Sequence, residues 1–144
     1  MPVAQGEVWG VTPDCWSTSE TIRATEAALR AGVDRVIVRE RRLAPAQRYA
    51  IVAALLTNEV AAERVLLRVG TDDPTPPDGW AIHLADGVPC PPGARPFSSA
   101  AVHRPAGLRD DVHAVLISPF ARPRSKSTAR PPLGAEGLRS VVTA

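Results

Sequence analysis

Thiols are scarce in this chain: Cys15 and Cys90 stand far apart and neither belongs to a CxxC pair. That isolation favours incidental or buried thiols over a disulfide, a thiolate metal site or a nucleophile. No apolar run approaches the length of a membrane span, and the opening MPVAQGEVWG lacks the basic and apolar regions of a signal peptide. A cytoplasmic protein without a membrane partner is therefore expected. P-loop, GxGxxG, zinc-ligand and catalytic-triad patterns are all missing, so none of those chemistries has its usual signature here. Net charge is only +2, too little to argue for a general nucleic-acid partner. Lysine is almost absent too: Lys126 is the single one, and every other cationic side chain is arginine.

What is present suits one soluble globular domain over residues 1–144, with 44% hydrophobic and 22% charged residues. Glu7 to Thr12 reads as a strand, and Ser17 or Ser19 can cap a helix that ends at Gly32. Val33 to Glu40 is a nearly continuous β-branched run, the mark of a parallel strand covered on both faces. Pro45 starts a second helix, expected over Ala46 to about Ala62, and Arg64 to Val69 is a third strand. Thr71 to Gly79 is a turn-rich link, Trp80 to Leu84 a fourth strand, and Asp86 to Gly93 a loop. Arg95 to Ser99 is expected as the fifth strand, with at best a short, broken helix between Ala101 and Asp111.

The stretch from His113 to Arg139 carries the chemistry. A short apolar run, Ala114 to Ile117, stops at Ser118-Pro119 and passes into a basic, Pro- and Ser-rich loop holding Arg122, Arg124, Ser125, Lys126 and Ser127. A helix is expected to restart at Pro131 to Gly134. In a parallel α/β protein, ligands sit at the loops that follow the strands' C-terminal ends. Guanidinium, ammonium and hydroxyl groups together suit phosphate oxygens, so a small anionic ligand is expected.

Pro119 to Lys126, followed by Pro131-Pro132-Leu133-Gly134-Ala135-Glu136-Gly137-Leu138, resembles the sixth strand and loop of the thiamine-phosphate synthase and TenI family. That family's pattern there reads roughly GPVFPTxTK and then PPLGLEGL. Val11 to Asp14, Ala31 to Glu40 and Ala81 to Leu84 are similar to its VTD, AGVDxVxxRE and GVHLG stretches. The resemblance implies an α/β, TIM-barrel-like fold, reduced to about six parallel strands with several helices trimmed to loops and the last two strands missing. An unclosed sheet exposes its edges, so a homodimer or a partner chain covering the open side is expected.

The resemblance also implies site residues. The family's loop lysine and second hydroxyl fall on Lys126 and Ser125, beside Arg124, while Pro123 stands at the first hydroxyl. The second-strand QxRxK falls on Ile37, Arg39 and Arg41, which keeps two cations and loses an amide. The Asn-Asp pair of the third strand falls on Arg68 and Val69, and a second carboxylate near Val88, so the family's Mg²⁺ positions are lost. Asp72, Asp73 and Asp86 are either replacement ligands or ordinary turn residues. Arg68 could instead stabilise phosphate without metal. His83 matches the strand-four histidine and is either a ring contact at the mouth or a satisfied core residue. Ser98 matches the serine of the TenI SxH context, but the histidine position reads Ala100, leaving His103 as the candidate catalytic group. His113 is expected at the opposite, structural end.

Two functions are consistent with these residues. One is an enzyme of thiamine metabolism, a pyrophosphate-releasing transferase or a thiazole tautomerase, binding a phosphorylated pyrimidine or thiazole. The other is a degenerate relative that binds a phosphorylated metabolite, or a partner, without turnover.

Overall fold

Ser17 opens the first helix of the chain in a full capping box: its Oγ accepts from the Glu20 amide at 3.3 Å, and the Glu20 carboxylate accepts from the Ser17 amide at 2.8 Å. The computed structural model describes residues 6–118 and 131–143. In it α1 (Thr18–Arg30) ends where Gly32 takes φ 101°, the left-handed stop that only glycine adopts freely. Helix α2 (Pro45–Thr57) starts on Pro45 at its first turn. It is shorter than the sequence suggests. Asn58 ends it, Glu59 turns left-handed at φ 63°, and the Val60 amide folds back to the Leu55 carbonyl. A third helix, α3 (Gly134–Val142), follows the last strand and packs near the short 3₁₀ turn Pro105–Gly107.

Strands β1 (Trp9–Val11), β2 (Arg35–Val38), β3 (Val65–Val69), β4 (Ala81–Leu84), β5 (Ser98–Val102) and β6 (Ala114–Ile117) form one sheet in chain order, each parallel to its neighbour. The sheet is curled into a half-barrel, which agrees with the expected reduced barrel-like fold. Its two edges are β1 and β6. Among the described residues no helix is long and apolar enough to cross a membrane.

One strand departs from the expectation. The fifth was read at Arg95 to Ser99, and β5 instead begins at Ser98 and runs to Val102. Pairing decides this. Ser98, Ser99 and Ala100 align with Ile82, His83 and Leu84 of β4, while the Arg95 guanidinium is occupied bonding the Pro76, Pro77 and Pro92 carbonyls of the preceding loops.

Period-2 alternation gives the sheet two unlike faces. Val36, Val38, Val65, Leu67, Ile82 and Leu84 face α1 and α2 and pack with Leu29, Ile51, Val52 and Leu55. On the other face Ile37, Leu66 and Ala81 pack with Trp9, Phe97 and Leu116. The N-terminal end of that second face is closed by a stacked plug. The Arg35 guanidinium lies 3.7 Å from the Phe97 ring centre, Trp9 meets Phe97 edge-on at 5.6 Å, and His113 stacks on Phe97 at 5.2 Å. His113 is thus at the bottom of the sheet, as expected.

Candidate functional site: an arginine-rich mouth at the strand ends

Arg68, His83 and Ser99 occupy one row across β3, β4 and β5, aligned by the strand register. Arg68 follows Leu66 by two residues, and His83 follows Ala81, so both project from the face away from α1 and α2. Arg39, two residues beyond Ile37, continues the same parity just past the end of β2. Arg68 and His83, both candidate ligand contacts, thus stand side by side in one row, with Arg39 close to its end.

His83 is buried, and its Nδ1 lies 2.8 Å from the Ser99 hydroxyl. Burial, with the nearby charges of Arg68 and Arg39, lowers its pKa to about 4, so the ring is neutral at physiological pH. It is a satisfied core histidine beside Arg68. Arg68 itself is half-buried, and burial together with its arginine neighbours pulls its proton affinity down against the opposing pull of Asp73.

A pocket of about 320 Å³ opens at the ends of β2 and β3, lined by Arg41, Arg48, Arg68 and Gly70 to Asp73. Arg48 comes from the first turns of α2 and is 4% exposed. Its Nη2 donates to Asp73 Oδ1 at 2.6 Å and its Nη1 to Oδ2 at 3.2 Å, while its Nε is buried without a partner among the described residues. Asp73 Oδ2 also accepts from the Gly70 amide at 2.7 Å and lies 4.0 Å from Arg68 Nη1. Although burial opposes ionisation, these bonds and charges hold the Asp73 carboxyl below the usual carboxylate range.

The loop between β1 and α1 forms the adjoining rim. Asp14, in the left-handed region at φ 73°, accepts from Arg41 Nε at 2.8 Å and from the Arg41 amide. Fully buried Glu40 holds that loop: its two carboxylate oxygens accept from the amides of Asp14 and Trp16, each at 3.1 Å.

The other expected residues fall in different places. Ser98 is corrected: it is the first residue of β5, at the end opposite the mouth, where its amide and hydroxyl meet His113 Nδ1 at 3.0 and 2.9 Å. The same three-residue shift of β5 carries His103 to the mouth end, directly after Val102. There His103 Nδ1 lies 2.5 Å from the Ser118 carbonyl; since a carbonyl only accepts, Nδ1 bears the proton and Nε2 is the acceptor of the neutral ring. Asp72 is exposed on the pocket rim, and Asp86 lies on the turn after β4. Arg124, Ser125 and Lys126 lie outside the described residues.

Three carboxylates near the mouth leave Mg²⁺ no uncommitted oxygen. Both oxygens of Asp73, Asp14 and Glu40 already accept bonds from arginines or amides, and among the described residues no group of three His, Cys, Asp or Glu side chains could hold a metal.

Two residues of this site escape a reading of the sequence as helix and strand. Arg48 shares the buried helix face of Val52 and Leu55, at spacings of four and seven residues, and Glu40 continues the buried row of Val36 and Val38. A charge on an apolar row needs a partner, and that was the available signal. No protein-family model matches the chain, and no curated protein matches it.

Proposed function

We propose that this chain is a reduced relative of the thiamine-phosphate synthase and TenI family that binds a phosphorylated pyrimidine or thiazole at its arginine-rich mouth. The observation that carries this reading is the juxtaposition of Arg39, Arg41 and Arg68 at the C-terminal ends of adjacent parallel strands, beside a neutral His83. Guanidinium forks suit phosphate oxygens, and a half-buried setting strengthens each contact. His83 and the apolar face beneath it would meet the ring. The reading includes binding without turnover as its first form, because Asp73, Asp14 and Glu40 are committed to arginines and amides. It also includes a homodimer or partner chain against the β1 and β6 edges, where Val8 and Val11 are exposed.

A second form, tautomerisation of a thiazole phosphate, is favoured by one observation. His103 has its tautomer set by the Ser118 carbonyl, which leaves Nε2 able to take up a proton at the mouth end of β5.

Calorimetric titration with an aminopyrimidine pyrophosphate and with a thiazole phosphate tests the binding reading. Binding of either by the native chain, weakened by about tenfold in Arg68→Ala, is expected. No heat with either ligand sinks it. Tautomer exchange of the thiazole phosphate, followed by NMR and abolished in His103→Ala, separates the enzymatic form from simple binding.

A further inference from the structure

We infer that, among the described residues, the mouth meets its anion with guanidinium groups, and that no divalent cation bridges ligand and protein. This rests on the reading of the mouth as a phosphate site and adds to it the charge chemistry by which the ligand is recognised.

Consider first where a metal would have to bind. At the end of β3, the residue facing the mouth is Arg68, and its neighbour Val69 is buried on the helix side. Asp73, the carboxylate deepest in the pocket, has both oxygens engaged by the Arg48 fork, with the Gly70 amide on Oδ2 as well. A cation that recruited Asp73 would strip Arg48 of its counter-ion. Arg48 is 4% exposed, so its charge would then be buried and unpaired. Asp14 is tied to the Arg41 side chain and amide, and Glu40 is fully buried beneath the loop amides. Asp72, exposed on the rim, and Asp86, on the turn after β4, are left as separate carboxylates. Mg²⁺ bound through one exposed carboxylate would face Arg41, Arg48 and Arg68 across the same pocket, and like charges repel.

Consider next what the arginines offer. Three guanidinium groups line one pocket; Arg48 is paired with Asp73 and Arg41 with Asp14, whereas Arg68 lies 4.0 Å from Asp73 and presents the fork least engaged by a carboxylate. Guanidinium is planar, permanently charged and matched to phosphate in bidentate geometry, so it can neutralise the oxygens that a metal otherwise bridges. Metal and guanidinium are alternative answers to one problem. This pocket is built for the second.

A consequence follows for free ligand. Pyrophosphate complexed by Mg²⁺ carries less negative charge than the free anion and offers fewer oxygens to arginine, so Mg²⁺ should compete with the protein for it.

The test is calorimetric titration of the full chain with inorganic phosphate and with pyrophosphate, in metal-stripped buffer and again with excess MgCl₂. Binding in metal-stripped buffer, and pyrophosphate binding that Mg²⁺ leaves unchanged or weakens, is the expected result. Arg68→Ala should lower the metal-free affinity by about tenfold. Arg68→Lys, which keeps the charge and loses the fork, should fall between the two and serves if the alanine variant does not fold. Binding that appears only with Mg²⁺, or tightens by about tenfold with it, overturns the inference while leaving the phosphate reading intact. Native-like binding by both variants also overturns it. Binding of neither anion in either buffer overturns the phosphate reading itself, and this inference with it.

Discussion

His83 Nδ1 and the Ser99 hydroxyl meet at 2.8 Å across the β4–β5 boundary, one strand away from the Arg68 guanidinium that occupies the same row. The pair makes a buried, neutral imidazole, and a neutral buried histidine has a pH signature. Folding lowers the pKa of His83 from 6.5 to about 4, chiefly by burial and then by Arg68 and Arg39. Below the unfolded value the unfolded chain therefore binds more protons than the folded one. This contribution is fully present above the unfolded pKa. It is lost as pH falls toward about 4, at up to ~1.4 kcal/mol per pH unit and about 3 kcal/mol in all. Urea unfolding between pH 7 and pH 4 checks it, and His83→Asn should flatten that part of the slope. Arg68→Ala should raise the His83 pKa in an NMR titration yet leave it below 6.5, because burial is the larger cause.

The Arg48–Asp73 pair is the second target. Both side chains are nearly buried, at 5% and 10% exposure, so removing one charge strands the other. Asp73→Asn should cost about 3 kcal/mol in chemical denaturation. In an Arg48→Met background the same change should cost much less, since no buried cation is left unpaired. Equal costs in both backgrounds would mean the pair does not act as a unit.

Glu40 sets the rim. Its carboxylate accepts from two loop amides, Asp14 and Trp16, and Glu40→Gln replaces one acceptor oxygen with an NH₂ group facing a donor. A loss of about 1–3 kcal/mol is expected. Hydrogen exchange should rise at Asp14 and Trp16 before it rises in α1. Unchanged protection of those two amides would show that the loop is held by something else.

Gly70 isolates the mouth from the fold. A Cβ added there would meet Arg68 Nη1 at 2.8 Å and Asp73 Oδ2 at 3.4 Å, and the first contact is with the free end of a flexible side chain. Gly70→Ala should therefore leave stability within about 1 kcal/mol of native while turning Arg68 out of place. The affinity for pyrophosphate should fall and the His83 pKa should rise together. A shift in neither would mean that Arg68 tolerates the methyl group without moving.

Much of the architecture was legible because it rests on local chemistry. Ser17 and Glu20 announce a capped helix, Gly32 its end and Pro45 the start of the next, and the β-branched run from Val33 marks a strand covered on both faces. Arg39, Arg41 and Arg68 were singled out by the resemblance to the family's second- and third-strand motifs. Boundaries fixed by partners were harder. The Ser-Ser-Ala-Ala core of β5 has little strand propensity, and the expected strand begins three residues before the observed one. Pairing with β4 overrode that preference, and so Ser98 left the mouth while His103 arrived there.

The sequence by itself determined that this is a parallel α/β chain with arginine at its strand ends, because periodicity, caps and turn residues act over a few neighbouring positions. Only the tertiary structure decided which charges are available to a ligand. Arg48 and Asp73 are twenty-five residues apart, Asp14 and Glu40 twenty-six, and whether such groups satisfy one another depends on the strand register that brings them together. What a mouth can bind is set by what remains unpaired after that assembly, and in this fold Asp73 and Asp14 hold arginines while Glu40 holds the loop.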